Sequence, residues 1–131
     1  MSIMVSMHGI LMLVATFVII WSVIIVRKKN RPDWLKLHSQ LVTLGICIVI
    51  ISCCIIFYVK QQNSYPHLAS IHAIVGIIAV TFLLINYAVG VFVVTKVMAR
   101  KLIHHLSGKI TTAIIIITAF TGIFRFLQIL N

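Results

Sequence analysis

Carboxylates are almost absent from this sequence: its 131 residues include a single acidic side chain, Asp33. An active site resting on carboxylates is therefore excluded. Charge of any kind is scarce, at 9% of residues, whereas an average soluble domain carries about 25%. With 62% hydrophobic residues the chain cannot cover a water-facing surface, so it has no room for a separate soluble domain. It is an integral membrane protein. The six glycines are scattered, which rules out a Gly-rich nucleotide-binding domain. The three cysteines, Cys47, Cys53 and Cys54, share one apolar run with no partner motif elsewhere and are expected to fill space between helices.

What the chain has in abundance is apolar length. A helix needs about 20 apolar residues to cross a hydrocarbon core of roughly 30 Å, so four spans fit with little left over. The runs lie at about 3–26, 34–59, 68–95 and 102–130. They are interrupted by Arg27-Lys28-Lys29-Asn30-Arg31-Pro32-Asp33, by Lys60-Gln61-Gln62-Asn63-Ser64-Tyr65-Pro66, and by Lys96-Val97-Met98-Ala99-Arg100-Lys101. Loops this short make sequential helices antiparallel, which predicts one all-α domain over 1–131, an up-down-up-down four-helix membrane bundle. The first run lacks a basic leader and is too long for a cleaved signal, so it is expected to remain in the protein.

The formal charge of +10 comes from eleven Lys and Arg. In a soluble domain it would suggest nucleic acid; on this background it reads as topology and contact with anionic head groups. Arg27, Lys28, Lys29, Arg31, Lys36, Lys96, Arg100 and Lys101 mark one end of the bundle, with Lys109 two turns into the fourth helix, while the other end has only Lys60 and Arg125. The basic loops are expected on the cytoplasmic side, or the equivalent face of an organelle membrane, and both termini on the opposite side.

Ionisable residues inside spans are costly and point to function. Five of the six histidines lie in spans, and every span has one about a turn from its start: His8, His38, His72 and the pair His104-His105. His67 falls in a loop beside Pro66 and reads as an interfacial residue. Antiparallel topology puts His8 and His72 at one depth, and His38 with His104 or His105 at another. A single buried histidine reads as a hydrogen-bonded interior group; four matched in depth, two per level, read as ligands. Neutral imidazole binds iron well, and two imidazoles facing across a bundle suit a six-coordinate haem. Zinc lacks further ligands at each level, and a proton relay would favour closely spaced depths. Two irons so held would be ~18 Å apart along the membrane normal.

Residues seven apart lie on nearly the same helix face. Seven after the histidines come Ala15, Gly45, Ala79 and Thr111; fourteen after come Ser22, Ser52, Asn86 and Thr118. Each helix thus carries a stripe of small side chains, which leaves room for a flat macrocycle or lets helices pack closely. His72 and His104 each begin an HxxxG pattern, with Gly76 and Gly108, where a ring could approach the backbone. That spacing favours His104 as ligand, although the stripe counted from His105, Thr112 and Ala119, is equally small.

Four pieces in order carry a resemblance: His8-Gly9-Ile10-Leu11-Met12, Trp34 through His38 to Gln40 and Gly45, His72-Ala73-Ile74-Val75-Gly76, and His104-His105-Leu106-Ser107-Gly108. Over nearly its whole length the chain resembles the cytochrome b561 transmembrane domain, particularly the version often fused to DOMON domains. The resemblance implies two b-type haems with bis-histidine ligation by His8 with His72 and His38 with His104. It also implies electron transfer across the membrane, commonly from cytoplasmic ascorbate to monodehydroascorbate or ferric iron, as an oxidoreductase. The fourth helix departs from many relatives in lacking an aromatic residue shortly before its histidine. An anionic donor needs interfacial cations, for which Arg27, Arg31, Lys36 and Arg100 are the candidates.

The competing reading is a haem-bearing structural or accessory subunit of a larger membrane complex, such as a respiratory assembly. A histidine-based proton or metal transporter fits less well because no acid lies within the spans. Expected partners are membrane lipids, a small-molecule electron donor and acceptor, and a second copy or larger membrane complex, with no nucleic acid.

Overall fold

A computed structural model describes residues 3–28, 32–93 and 101–130. Every regular element among them is helical: α1 (Ile3–Lys28), α2 (Trp34–Gln62), α3 (Ile71–Ala88), which runs on into a π-helical turn at Val89–Val93, and α4 (Lys101–Leu130). All four α-helices are long and apolar enough to cross a membrane, so the fold is all-α.

The helix ends follow local chemistry. Arg27 and Lys28 close α1, where cations suit the negative end of the helix dipole. α2 runs three residues beyond the apolar pattern, to Gln62, because its polar last turn is capped. Ser64 adopts φ 54°, and the N–H groups of Ser64 and Tyr65 return to the carbonyls of Gln61 (3.3 Å) and Lys60 (3.0 Å). That pairing is a Schellman closure with serine in the place usually taken by glycine. Lys60 Nζ then ties down the following loop by donating to the carbonyls of Pro66 (3.0 Å) and His67 (2.8 Å). α3 starts at Ile71 rather than near Leu68 because Ser70, in extended conformation, caps it by accepting from the Ala73 N–H at 3.2 Å.

The chain divides into two compact units, the first reaching His67 and taking in the residues from Gly122 onward, the second Leu68–Thr121. In the first, α1 and α2 form an antiparallel hairpin whose two small-residue stripes face each other. His8 meets Ser52 at one end and His38 meets Ser22 at the other. Midway, a Cβ added at Gly45 would lie 2.6 Å from Ile19 Cγ1 and 3.7 Å from the Ala15 carbonyl oxygen. Ala15, Ser22, Gly45 and Ser52 are all buried along this seam. Close packing is thus the stripe's role between α1 and α2.

In the second unit α3 and α4 are likewise antiparallel. His72 meets Thr121, the Cβ position of Gly76 faces Thr118 Cγ2 at 3.9 Å, and Asn86 meets Ser107. Ala79, Leu83, Thr111, Ile115 and Thr118 are buried. The threonine hydroxyls close onto their own helix, Thr111 donating to the Ser107 carbonyl and Thr118 to that of Ile114, both at 2.8 Å. A buried hydroxyl in an apolar span thereby keeps a partner without leaving its helix.

Large apolar side chains such as Phe17, Trp21, Phe57, Phe92, Phe120 and Phe124 are exposed, as lipid-facing residues must be. Cys47 and Cys54 join them on the outer surface of α2, and only Cys53 is half-buried. The expectation that the cysteines fill gaps between helices is therefore corrected for two of the three. Serine and glycine occupy the α1–α2 seam, which is too tight for a thiol.

Candidate functional site

The four histidines near the span starts are all partly buried, whereas His105 is exposed. His8, His38 and His104 lie about one turn inside their helices, whereas His72, expected a turn inside, is the second residue of α3 because the Ser70 cap starts that helix at Ile71. Each ring turns toward the hairpin partner.

His8 Nδ1 lies 3.0 Å from the Ser52 carbonyl oxygen and 2.8 Å from Ser52 Oγ. A carbonyl oxygen only accepts, and the Ser52 hydroxyl already donates to the His8 carbonyl at 3.1 Å, so the proton between ring and serine sits on Nδ1. His38 Nδ1 donates to the Ser22 carbonyl at 3.2 Å, while the Ser22 hydroxyl turns back to the Ile19 carbonyl at 2.7 Å. In α3, His72 Nδ1 lies 3.3 Å from Thr121 Oγ1, whose own proton goes to the Thr118 carbonyl at 2.9 Å. Thr121 therefore accepts from His72. All three imidazoles carry their proton on Nδ1, which makes Nε2 the nitrogen with a lone pair. That is the tautomer a metal-ligating histidine takes, with its other ring nitrogen donating to an oxygen that fixes the ring.

His104 is held differently. Its ring lies against the π-helical turn, where a Cβ added at Gly90 would come within 2.9 Å of Cε1 and 3.4 Å of Nδ1. Only glycine leaves space for the ring at that point. The Asn86 carbonyl faces the ring, but among the described residues the buried Nδ1 has no hydrogen-bond partner. Asn86 Oδ1 instead accepts from Ser107 Oγ at 2.6 Å, and its Nδ2 stands 3.5 Å from the Cβ position of Gly108. The two glycines of the HxxxG patterns thus open toward the facing helix: Gly76 toward Thr118 and Gly108 toward Asn86.

The donor set fits a haem. Three imidazoles have the required tautomer, the fourth has a ring cradled by a glycine and an uncommitted buried nitrogen, and the surroundings are apolar. Neutral nitrogen ligands without carboxylates suit iron in a macrocycle.

Of the cations expected to meet an anionic donor, Arg27 and Lys36 are exposed, at the end of α1 and the start of α2; Arg31 and Arg100 lie outside the described residues. His67 is exposed in its loop, stacked on Phe57 with ring centroids 4.6 Å apart and 3.4 Å from Gln61 Oε1. Sequence reasoning singled out Ser22 and Ser52 only as small stripe members and did not mark Thr121. The signal for the serines was available, because an antiparallel register centred on Ala15 and Gly45 sets each serine opposite a histidine. Thr121 lies one turn past the stripe position Thr118, and its role depends on the tilt of α4 against α3.

The family model for eukaryotic cytochrome b561 matches residues 2–128. No curated protein and no solved structure shows significant similarity to the chain.

Proposed function

We propose, for a chain that belongs to the eukaryotic cytochrome b561 family, that it carries two b-type haems, one near each membrane face, and passes electrons from a small anionic reductant such as ascorbate to monodehydroascorbate or ferric iron. Membership of this family makes the protein an integral, multi-pass transmembrane electron-transfer protein that binds b-type haem. The two-haem arrangement, the ligands, the substrates and the direction of flow are our reading. His8 and His72 hold one haem and His38 and His104 the other. The observation that carries this reading is the shared Nδ1–H tautomer of His8, His38 and His72, which leaves each Nε2 as the coordinating atom. The burial of the His104 ring beside Gly90 and the exposure of His105 support His104 as the fourth ligand.

Bound haem supplies the one-electron Fe(III)/Fe(II) couple. The chain's part is to orient the imidazoles, exclude water with apolar helix faces, and present cations to the donor. Arg27, Arg31, Lys36 and Arg100 belong to the basic end, where an anionic reductant is drawn by charge. We place that end on the cytoplasmic side and both termini opposite, following the excess of Lys and Arg in the loops.

A pyridine haemochrome assay with a reduced-minus-oxidised spectrum tests the reading and is expected to give two haems b per chain. Absence of a reducible b-type spectrum would overturn it. Liposomes loaded with ascorbate should reduce external ferricyanide; two haems without such transfer would favour the accessory-subunit role.

A further inference from the structure

Among the three histidines whose Nδ1 proton is assigned, His8 and His38 each donate to a main-chain carbonyl. His72 is the exception, because its acceptor is the hydroxyl of Thr121. A carbonyl is present whatever the side chain, but a hydroxyl can be removed. Thr121 is also locked: its single proton goes to the Thr118 carbonyl at 2.9 Å, so its lone pairs face His72.

We infer that Thr121 is the positioning residue that sets the redox potential of the haem bound by His72. The inference rests on the reading of His72 as a haem ligand. An imidazole that donates its Nδ1–H to an oxygen gains electron density at Nε2 and becomes a more basic ligand. A more basic ligand favours Fe(III) over Fe(II) and lowers the midpoint potential, one of the ways a protein tunes a haem. Removing the acceptor raises the potential of that haem and leaves the other unchanged. Thr121 belongs to the same compact unit as His72, so the effect passes through one hydrogen bond and needs no movement of the helices. His104 offers a contrast, because its buried Nδ1 has no hydrogen-bond partner among the described residues.

The test uses the full chain, purified with haem, in a potentiometric titration followed by absorption and by low-temperature electron paramagnetic resonance. His72→Ala identifies which of the two midpoint waves belongs to the His72 haem. Thr121→Val and Thr121→Ala are expected to move that wave upward, with a change in its g-values, while the other wave stays in place. Thr121→Ser, which keeps the hydroxyl, is expected to match the wild type. If Val and Ala retain both haems with unmoved potentials, the inference is overturned. Loss of the His72 haem in Val and Ala but not in Ser would support the positioning role, since the hydroxyl then decides whether the ring can ligate. Loss in all three, Ser included, would overturn it. A wild-type protein with no reducible haem, or one whose spectrum is unaffected by His72→Ala, refutes the ligand reading itself. Either result is recognisable before any Thr121 variant is titrated.

Discussion

The α1–α2 and α3–α4 hairpins start from the same sequence plan and carry it out differently. In both, a histidine near each helix start is followed by small residues seven and fourteen positions on. In α1–α2 the plan closes symmetrically: the serine fourteen residues after each histidine offers its carbonyl to the histidine of the other helix. In α3–α4 that symmetry is broken. Asn86, fourteen after His72, bonds Ser107; Thr121 rather than Thr118 takes His72; and His104 Nδ1, beside the π-helical turn, has no hydrogen-bond partner among the described residues. A ring held by main-chain carbonyls tolerates side-chain change. A ring held by a hydroxyl or by the shape of one glycine does not.

The largest effects should come from the histidines themselves. Each of His8→Ala, His38→Ala, His72→Ala and His104→Ala is expected to remove one of the two proposed haems, halving the haemochrome signal, while His105→Ala leaves the signal whole. Equal loss from His105→Ala and His104→Ala would erase the distinction between the buried and the exposed ring.

Next come the glycines, which grade the tightness of the two hairpins. Gly45→Ala places a methyl 2.6 Å from Ile19 Cγ1 and should cost about 1–3 kcal/mol by overpacking, read as a lower melting temperature in detergent with an unchanged haem content. Gly90→Ala meets the His104 ring at 2.9 Å and should weaken or displace the haem assigned to His104 in our proposal more than it lowers stability. Gly76→Ala, whose new methyl reaches only Thr118 Cγ2 at 3.9 Å, should change stability by less than about 0.5 kcal/mol. A Gly90→Ala protein with unaltered haem content would show that the turn merely accompanies His104 and does not position it.

Effects well below those of the histidines and of Gly45 also belong to the hydroxyls of the first hairpin. Ser52→Ala removes one of two acceptors for His8 and leaves the carbonyl, so the loss should lie near 0.6 kcal/mol and stay below about 2 kcal/mol, typical of hydrogen bonds between membrane helices. Its midpoint potential should move less than that of Thr121→Val. If Ser52→Ala shifted its haem as far as Thr121→Val shifts the other, main-chain and side-chain acceptors would be equivalent and the contrast between hairpins would fail.

Much of this was legible in the residues because a membrane imposes harsh rules. Long apolar runs, short polar interruptions and one acid leave helices as the reading for the spans, although the start of α3, expected near Leu68, is set at Ile71 by the Ser70 cap. The depth pattern of His8, His38, His72 and His104 is likewise linear information, fixed by rise per residue. The turn at Val89–Val93 was not legible: a π-helical turn adds one residue to a helical loop of backbone, and the pattern of apolar residues around Gly90 gives no sign of it. Nor were the outward positions of Cys47 and Cys54, because helix periodicity sorts residues into faces without saying which face meets a neighbour.

The sequence by itself determined the membrane, the helices, the charge asymmetry and which residues could be ligands, since these depend on composition and on spacing along one helix. The tertiary structure decided which oxygen meets each imidazole, and therefore which nitrogen carries its proton. Hydrogen bonds act over about 3 Å, so a fraction of a turn in the rotation of one helix against another separates Thr121 from Thr118 as the partner of His72.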